Sequence, residues 1–220
     1  MKVDFILKIG GSLTKERSLK ELCKVITKFS KKYKIVIIPG GGKNAEYIRY
    51  LYKKFKLTDE SAHNMAILAM DQYGYFLSNL MNVNLSSDIN KIKFDKKPVV
   101  LLPFRHMINK NPLENSWDVT SDSIAAYFCY KLKAKNLILV KNVDGIYHSN
   151  PEKNRKVKLI RNVSATFLIK LRKKTCIDSY LPRIIQKRKI NCFIVNGKYP
   201  NRLSKILQNK ETVYTKLVFE

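Results

Sequence analysis

The feature that most constrains the fold is a repeated alternation of short apolar runs with longer segments of helical periodicity. Apolar runs that predict strands occur at residues 3–9, 35–38, 99–102, 137–140 and 192–195. Apolar residues at helical spacing occur at residues 19–29, 44–55, 61–80, 121–132, 181–187 and 202–207. Strands separated by helices form parallel sheets covered on both faces, so we predict an α/β fold, a three-layer αβα sandwich around a mainly parallel sheet.

We expect one domain spanning residues 1–220, since a chain of this length buries roughly 70% of the surface that its unfolded form exposes. No internal repeat and no linker rich in Gly, Ser or Pro divides the sequence. The longest irregular stretch, residues 105–117, is too short to separate domains. A long loop in a compact domain is more often functional than idle.

The formal net charge of +26 has two interpretations. A field of this sign attracts phosphate on a nucleotide, a nucleic acid or a metabolite. Alternatively, the many lysines reflect an AT-rich genome or a heat-adapted host and have no ligand. The lysines are dispersed along the whole chain instead of forming one tail or patch, which favours the second interpretation and argues against a nucleic-acid partner.

Targeting and cysteine patterns point to a cytoplasmic protein with no membrane partner. The N-terminus lacks the pattern of a signal peptide, and no run approaches the roughly 20 apolar residues of a membrane helix. The cysteines are scattered, without a Cys-x-x-Cys pair or a neighbouring His. We therefore expect neither a disulfide framework nor metal ligands among the protein's side chains.

Two glycine clusters follow the first two predicted strands. Lys8, Gly10, Gly11 and Ser12 follow the first strand, where Gly-Gly alone is typical of an ordinary turn but also allows backbone N–H groups to approach an anion. Residues 39–43, Pro-Gly-Gly-Gly-Lys, follow the second strand and lead into a helix. Three glycines are costly to order, which favours a close approach of backbone to ligand. Neither cluster is a Walker A loop or a dinucleotide fingerprint.

Two further clusters carry polar residues at the ends of elements. Residues 116–126 hold Asp118, Thr120 and Asp122 around a helix start, where Ser121 or Asp122 would serve as a cap. Residues 141–147 follow the fourth predicted strand, and their Asp-Gly pair alone is typical of a hairpin turn. The carboxyl ends of parallel strands are where ligands bind in open sheets, so all four clusters are candidates for one site.

In this order and spacing, the four clusters resemble the amino-acid kinase superfamily, which includes acetylglutamate, uridylate, aspartate and isopentenyl phosphate kinases. The resemblance spans nearly the whole chain, and it implies that ATP with Mg²⁺ is used and that the chain forms a homo-oligomer. It also assigns roles to individual residues. Lys8 and Asp122 are implied to be catalytic, with Asp122 holding the catalytic lysine. The implied nucleotide-binding residues are Gly10, Gly11, Ser12, Lys141, Asp144, Gly145, Tyr147 and Pro151.

Residues 62–66, 102–105 and 116–126 are similar to a narrower branch of this superfamily, the small archaeal kinases of methanofuran biosynthesis. This resemblance implies a small phosphorylated metabolite as acceptor, the monophosphate of an aminomethyl furanmethanol. His63 and Arg105 are then candidate phosphate ligands, and Asp118 is a candidate partner for the amino group. The implied substrate-binding set is Gly40, Gly41, Gly42, His63, Arg105, Asp118 and Thr120.

The sequence departs from the superfamily late in the chain, where a Gly-Gly-Met-x-x-Lys motif often supplies a lysine to the transferring group. Arg183 occupies the matching position here and is our third candidate catalytic residue. The alternatives are an isopentenyl phosphate or uridylate kinase and, in another class, a non-catalytic phosphate-binding or nucleic-acid-binding protein.

Overall fold

The computed structural model describes residues 2–149, 151, 154, 156–171 and 175–220. Within them, one sheet contains the strands β1 (Phe5–Ile9), β2 (Ile35–Pro39), β3 (Leu85–Ser86), β4 (Val99–Leu101), β5 (Asn136–Lys141), β6 (Asn162–Ser164), β7 (Asn191–Asn196) and β8 (Thr215–Val218). The spatial order of the strands is β3-β4-β2-β1-β5-β7-β8-β6. The helices are α1 (Leu19–Ser30), α2 (Gly42–Phe55), α3 (Asp59–Met81), α4 (Phe104–Lys110), α5 (Ser121–Lys131), α6 (Ala165–Leu171), α7 (Leu181–Arg188) and α8 (Pro200–Leu207).

The sheet is mainly parallel, as predicted. β1 lies at its centre and pairs in parallel with β2 and β5, while β2 pairs with β4, β3 with β4, and β5 with β7 in the same sense. Only β8, among the described strands, pairs antiparallel with its neighbour β7, and β6 runs parallel to β8. The carboxyl ends of β1, β2 and β5 therefore open on the same edge of the sheet.

Helices cover both faces of the sheet and confirm the three-layer αβα architecture. Successive side chains of a strand point to opposite faces. Ile6 packs in a cluster with apolar residues of α5, α6 and α7, whereas Leu7 packs with those of α1 and α8. The long helix α3 contributes Ile67 to the first cluster and Leu77 to the second. Burial on both faces explains why the central strands are nearly continuous apolar runs.

The segment at residues 105–117 is less irregular than the sequence predicts. Its first part belongs to α4, and the backbone N–H of Phe104 donates a hydrogen bond to Asp71 in α3 at 3.2 Å. The prediction was wrong here because Pro103 and the polar residues after it are typical of a loop, while the acceptor for the first N–H of the helix comes from a distant part of the chain. Among the described residues, no helix has both the length and the apolar character needed to cross a membrane.

Candidate active site

Two lysines lie at the carboxyl ends of adjacent central strands. Lys8 is paired in register with Leu139 on β5, and Lys141 lies two residues further along that strand. Alternation along a strand places Lys8 on the same face as Ile6, and Lys141 on the same face as Leu139. Because α5 packs on this face, both ammonium groups point to the beginning of that helix.

Asp122, in the first turn of α5, bridges the two lysines. Its Oδ1 lies 3.0 Å from Nζ of Lys8, and its Oδ2 lies 2.7 Å from Nζ of Lys141. The side chains are 7% exposed for Lys8, 3% for Asp122 and 13% for Lys141. Buried charges are costly unless they are paired in good geometry, so this lysine–aspartate–lysine cluster is a specific feature and not a surface ion pair.

The pairing keeps Asp122 ionised. Burial alone would raise the pKa of Asp122, but the ammonium groups of Lys141 and Lys8 outweigh it and lower that pKa to about 2. Burial lowers the pKa of Lys8, against the attraction of Asp122. For Lys141, the attraction of Asp122 and other neighbours exceeds the effect of burial and raises the pKa. The cluster therefore presents fixed positive charge at the strand ends.

A second buried carboxylate, Asp178, supports the cluster and was missed in the sequence. Its oxygens accept hydrogen bonds from the backbone N–H and hydroxyl of both Thr120 and Ser123, at 2.6–3.0 Å, and from the backbone N–H of Leu181 at 2.8 Å. Burial and the negative charge of Asp122 raise the pKa of Asp178. An Asp shortly before a helix that has Pro in its first turn was the available signal.

The glycine clusters pack against each other. A Cβ atom on Gly11 would lie 2.3 Å from the Cα of Gly42, and one on Gly40 would lie 2.9 Å from the backbone N of Gly11. Gly42 also has φ +57, which other residues rarely adopt. We expected the three glycines to allow approach of a ligand. The structure shows that they also allow two loops to meet, and this contact brings Gly41 beside the strand ends.

A pocket opens next to Gly41, between α2, α3 and the segment that precedes α5. We call it the apolar pocket. Its buried or half-buried floor consists of Ala45, Ala66, Ile67, Met70, Val119 and Ile124. Its polar lining consists of Arg49, Asp59, His63, Ser116, Trp117, Thr120 and Ser121. Since Gly41, Thr120 and Ser121 line it close to the start of α5, the apolar pocket adjoins the lysine–aspartate–lysine cluster.

Aromatic contacts close one side of the apolar pocket. The guanidinium of Arg49 lies 4.6 Å from the ring centroid of Trp117, and the rings of Tyr52 and Trp117 are 5.6 Å apart. The hydroxyl of Tyr52 donates a 2.6 Å hydrogen bond to Asp59. His63 is buried, and burial lowers its pKa despite an interaction with the backbone of Ser116. The single Trp of the chain is thus a wall of this pocket.

The predicted substrate residues divide into two groups. The apolar pocket is lined by Gly41, His63 and Thr120, and Gly41 is flanked in the chain by Gly40 and Gly42. The other two candidates do not line it. Arg105 is exposed on α4, and Asp118 is exposed and accepts a 2.7 Å hydrogen bond from the hydroxyl of Ser179. Thr120 also caps α5 by accepting from the backbone N–H of Asp122, a role that we had expected of Ser121 or Asp122.

The predicted nucleotide residues follow the strands β1 and β5 along the chain. Gly10 donates its backbone N–H to Val140 at 2.9 Å, which ties the first loop to β5. Gly11 contacts the second glycine loop, Ser12 is exposed, and Pro151 is half-buried. The loop after β5 begins beyond Lys141.

Asp144 organises that loop. Its Oδ1 accepts hydrogen bonds from Asn196 at 2.7 Å and from Arg202 at 2.6 Å, and its Oδ2 accepts one from Tyr147 at 3.4 Å. Gly145, with φ +153, packs against Thr215, where a Cβ atom would clash. Arg202 was missed in the sequence because it lies 58 positions from Asp144 along the chain, so no local pattern links them.

Arg183 is not part of the lysine–aspartate–lysine cluster. It is exposed on α7, stacks on Tyr180 with 5.9 Å to the ring centroid, and lines a separate cleft with Tyr130, Lys187 and Arg188. The second cation beside Asp122 is Lys141 instead. The alignment of positions along the sequence suggested Arg183, but only the sheet register shows that a lysine at the end of β5 reaches the same carboxylate.

The described residues offer no free carboxylate for a metal ion beside the two lysines. Asp122 is bound by Lys8 and Lys141, and Asp144 by Arg202 and Asn196. No group of three or more His, Cys, Asp or Glu side chains is arranged as metal ligands in this part of the chain.

Comparison with known proteins gives similarity over nearly the whole chain. The model of the amino acid kinase family matches residues 5–196. The [5-(aminomethyl)furan-3-yl]methyl phosphate kinase of Methanocaldococcus jannaschii is 33% identical over 218 residues, 97% of each chain, and the uridylate kinase of Thermococcus kodakarensis is 23% identical over 94% of this chain and 96% of its own. The crystal structure of the UMP kinase of Ureaplasma parvum covers 99% of both chains with a TM-score of 0.73 at 22% identity. The chain belongs to the amino acid kinase family and is a phosphotransferase.

Proposed function

We propose that the protein transfers the γ-phosphoryl group of ATP to a small phosphomonoester, [5-(aminomethyl)furan-3-yl]methyl phosphate, and forms its diphosphate. The observation that carries the transfer chemistry is the buried cluster of Lys8, Asp122 and Lys141 beside the apolar pocket. The acceptor is supported by the M. jannaschii relative, whose name specifies it. The reaction would belong to methanofuran biosynthesis in the cytoplasm.

Such a transfer needs charge neutralisation more than proton removal. A phosphate monoester is mostly ionised near neutral pH and is already a nucleophile, so no general base is needed. The barrier arises because two anions must approach within a few ångströms. Fixed cations that need no reorganisation lower this barrier efficiently.

Lys8 and Lys141 are placed to provide those cations. Their ammonium groups are fixed from two adjacent strands by one carboxylate, with Nζ–O distances of 3.0 and 2.7 Å. Lys8 would contact the transferring group next to the glycine loops, and Lys141 would stabilise the charge that develops on the leaving side. Asp122 acts as a positioning residue, because its pKa of about 2 makes it unable to exchange a proton usefully near neutral pH.

Isopentenyl phosphate is the second candidate acceptor. The floor of the apolar pocket is built from side chains without hydrogen-bonding groups, and an apolar tail would bury well against it. Uridylate is supported by more distant relatives, at 23% identity for the T. kodakarensis enzyme. These alternatives differ from the first acceptor in charge, since neither isopentenyl phosphate nor uridylate carries an amine.

A panel of acceptors tests the proposal directly. Purified protein is incubated with ATP, Mg²⁺ and either the aminomethylfuran phosphate, isopentenyl phosphate or UMP, and the product mass and kcat/KM are measured. We expect the aminomethylfuran diphosphate to be formed with the highest kcat/KM. A higher kcat/KM for either other acceptor would replace the proposed substrate, and absence of turnover on all three would refute it.

Two variants test which second cation assists the transfer. Lys141→Ala removes a cation fixed at the strand ends and is expected to lower kcat by about 10²–10³, the range found for single charge-stabilising groups. Arg183→Ala, the matched control in the separate cleft, is expected to keep kcat within about threefold of wild type. A larger loss in Arg183→Ala than in Lys141→Ala would return the role to the arginine.

A further inference from the structure

We propose that Asp59 is the residue that selects an acceptor carrying a positively charged amine. This inference rests on the proposed function and adds to it the side chain that reads the amine. Asp59 is the first residue of α3 and lies at the mouth of the apolar pocket. Among the residues that line the pocket, it is the only carboxylate.

The contacts of Asp59 leave it able to bind a ligand. Its Oδ1 accepts the 2.6 Å hydrogen bond from Tyr52, which fixes the orientation of the carboxylate. Its Oδ2 has no hydrogen bond or ion pair with the described residues, although Arg49 lines the same mouth. Arg49 stacks on Trp117 instead. An ammonium group could therefore meet the free oxygen without displacing an existing ion pair.

The net positive charge of the chain helps to show which kind of acceptor the Asp59 carboxylate would favour. The protein has 43 Lys and Arg against 17 Asp and Glu, which suits anionic substrates. A negative group at the mouth of the pocket works against the phosphate of any acceptor, unless the acceptor also carries a positive charge. Asp59 does not strengthen the binding of uridylate or isopentenyl phosphate, which carry no amine. It strengthens the binding of an acceptor with an aminomethyl group, through a charge-assisted hydrogen bond.

A second observation points to a polar ligand in the same pocket. Ser116 lines it, and the buried Oγ of this residue lacks a hydrogen-bond partner among the described residues. Buried hydroxyls are normally paired, so an unpaired one on a residue that lines the pocket is a candidate partner for a polar ligand. The ring oxygen or the amine of the furan acceptor provides such a partner.

Asp59 thereby takes the place that we first gave to Asp118. Both carboxylates are exposed and each accepts one hydrogen bond, but Asp59 lines the apolar pocket and Asp118 does not. Asp59 was overlooked because an acidic residue in the first turn of a helix is common and stabilising for that reason alone. The pocket, which the sequence does not show, gives this residue a second role.

The test compares two acceptors in three proteins. The acceptors are [5-(aminomethyl)furan-3-yl]methyl phosphate and its analogue with a methyl group in place of the aminomethyl group. The proteins are wild type, Asp59→Asn and Glu60→Gln. Glu60 is the matched control, since it is a neighbouring exposed carboxylate in the same helical turn but does not line the apolar pocket.

We expect Asp59→Asn to raise KM for the amine acceptor about tenfold or more, which corresponds to the loss of one hydrogen bond to a charged group. The KM for ATP should stay within about twofold, which also verifies that the variant is folded, and the KM for the methyl analogue should stay the same or fall, since the carboxylate works against its phosphate. Glu60→Gln should retain the wild-type preference for the amine.

Equal loss of that preference in both variants, or its retention in Asp59→Asn, overturns the inference while the proposed function stands. If the wild-type protein phosphorylates neither furan compound, the proposed function itself is refuted, and the role of Asp59 falls with it. If wild type uses both compounds equally well, the amine is not recognised and the inference is wrong.

Discussion

Buried carboxylates differ in charge state according to the groups that face them. Asp122 is held between two ammonium groups, which lower its pKa to about 2. Asp71, half-buried in α3, accepts a hydrogen bond from the backbone N–H of Phe104, and burial raises its pKa to about 6. Asp122 is thus fully ionised near neutral pH, whereas Asp71 titrates close to it. Asp71 therefore makes the stability of the protein depend on pH.

Asp71→Asn is expected to stabilise the protein at neutral pH. The unfolded chain loses the Asp71 proton near pH 3.8, whereas the folded chain keeps it until about pH 6, so stability falls as pH rises through this interval. Asparagine retains an oxygen that accepts from Phe104 but does not titrate. Urea denaturation should show a gain of roughly 1–2 kcal/mol at pH 7 and almost none at pH 3.5. A loss of stability at pH 7 would contradict this account.

Helices α5 and α7 are joined through one side chain. The Asp178 carboxylate accepts hydrogen bonds from the backbone N–H groups of Thr120 and Ser123 at the start of α5 and of Leu181 at the start of α7. It thereby fixes the start of the helix that carries Asp122 in relation to the start of α7. The orphan N–H groups of a helix N-terminus need such acceptors, and a single carboxylate serves both termini here.

Removal of this carboxylate should therefore loosen both helices. Asp178→Ala leaves several buried donors without a partner, and we expect a loss of about 3 kcal/mol or more in the free energy of unfolding. Asp118→Ala, which loses a single exposed hydrogen bond to Ser179, should lose less than about 1 kcal/mol. Thermal and urea denaturation of both variants check this. Similar values for the two would show that Asp178 does not link the helices.

The surface of the whole molecule combines a high positive charge with an apolar stripe. Leu68, Tyr75 and Phe76 are 42%, 60% and 47% exposed on α3, at a spacing that places them on one side of the helix. A stripe of this kind is suited to self-association, whereas a net charge of +26 opposes it. The homo-oligomer that the family resemblance implies would thus depend on both features.

We predict that the protein self-associates through this stripe and does so more strongly as salt increases. Screening by added salt weakens the repulsion between like-charged copies but not the burial of apolar side chains. Sedimentation velocity at about 0.02 M and 0.3 M salt should show a shift to a larger species at high salt. Phe76→Lys should abolish this shift, whereas Phe167→Lys, at an exposed position on α6, should retain it. A monomer under all conditions would refute the prediction.

The α/β class, the mainly parallel sheet and the location of the glycine clusters after strands could be predicted from the sequence, because apolar periodicity and glycine clusters are local properties. The sequence also pointed to Lys8 and Asp122 through the family resemblance. Short strands such as β3 and β6 escaped prediction, since each contains a single apolar residue, whereas the equally short β4 is a continuous apolar run.

Only the tertiary structure revealed that Lys141 and Lys8 bind the same carboxylate, Asp122. It also showed that Asp178 joins two helices. The same is true of the pockets, because Asp59 lines the apolar pocket while Arg183 lines another cleft. These relations depend on strand register and helix packing between residues far apart in the chain. Residue types and spacing determine which elements form, but the distance between two side chains is determined when those elements pack.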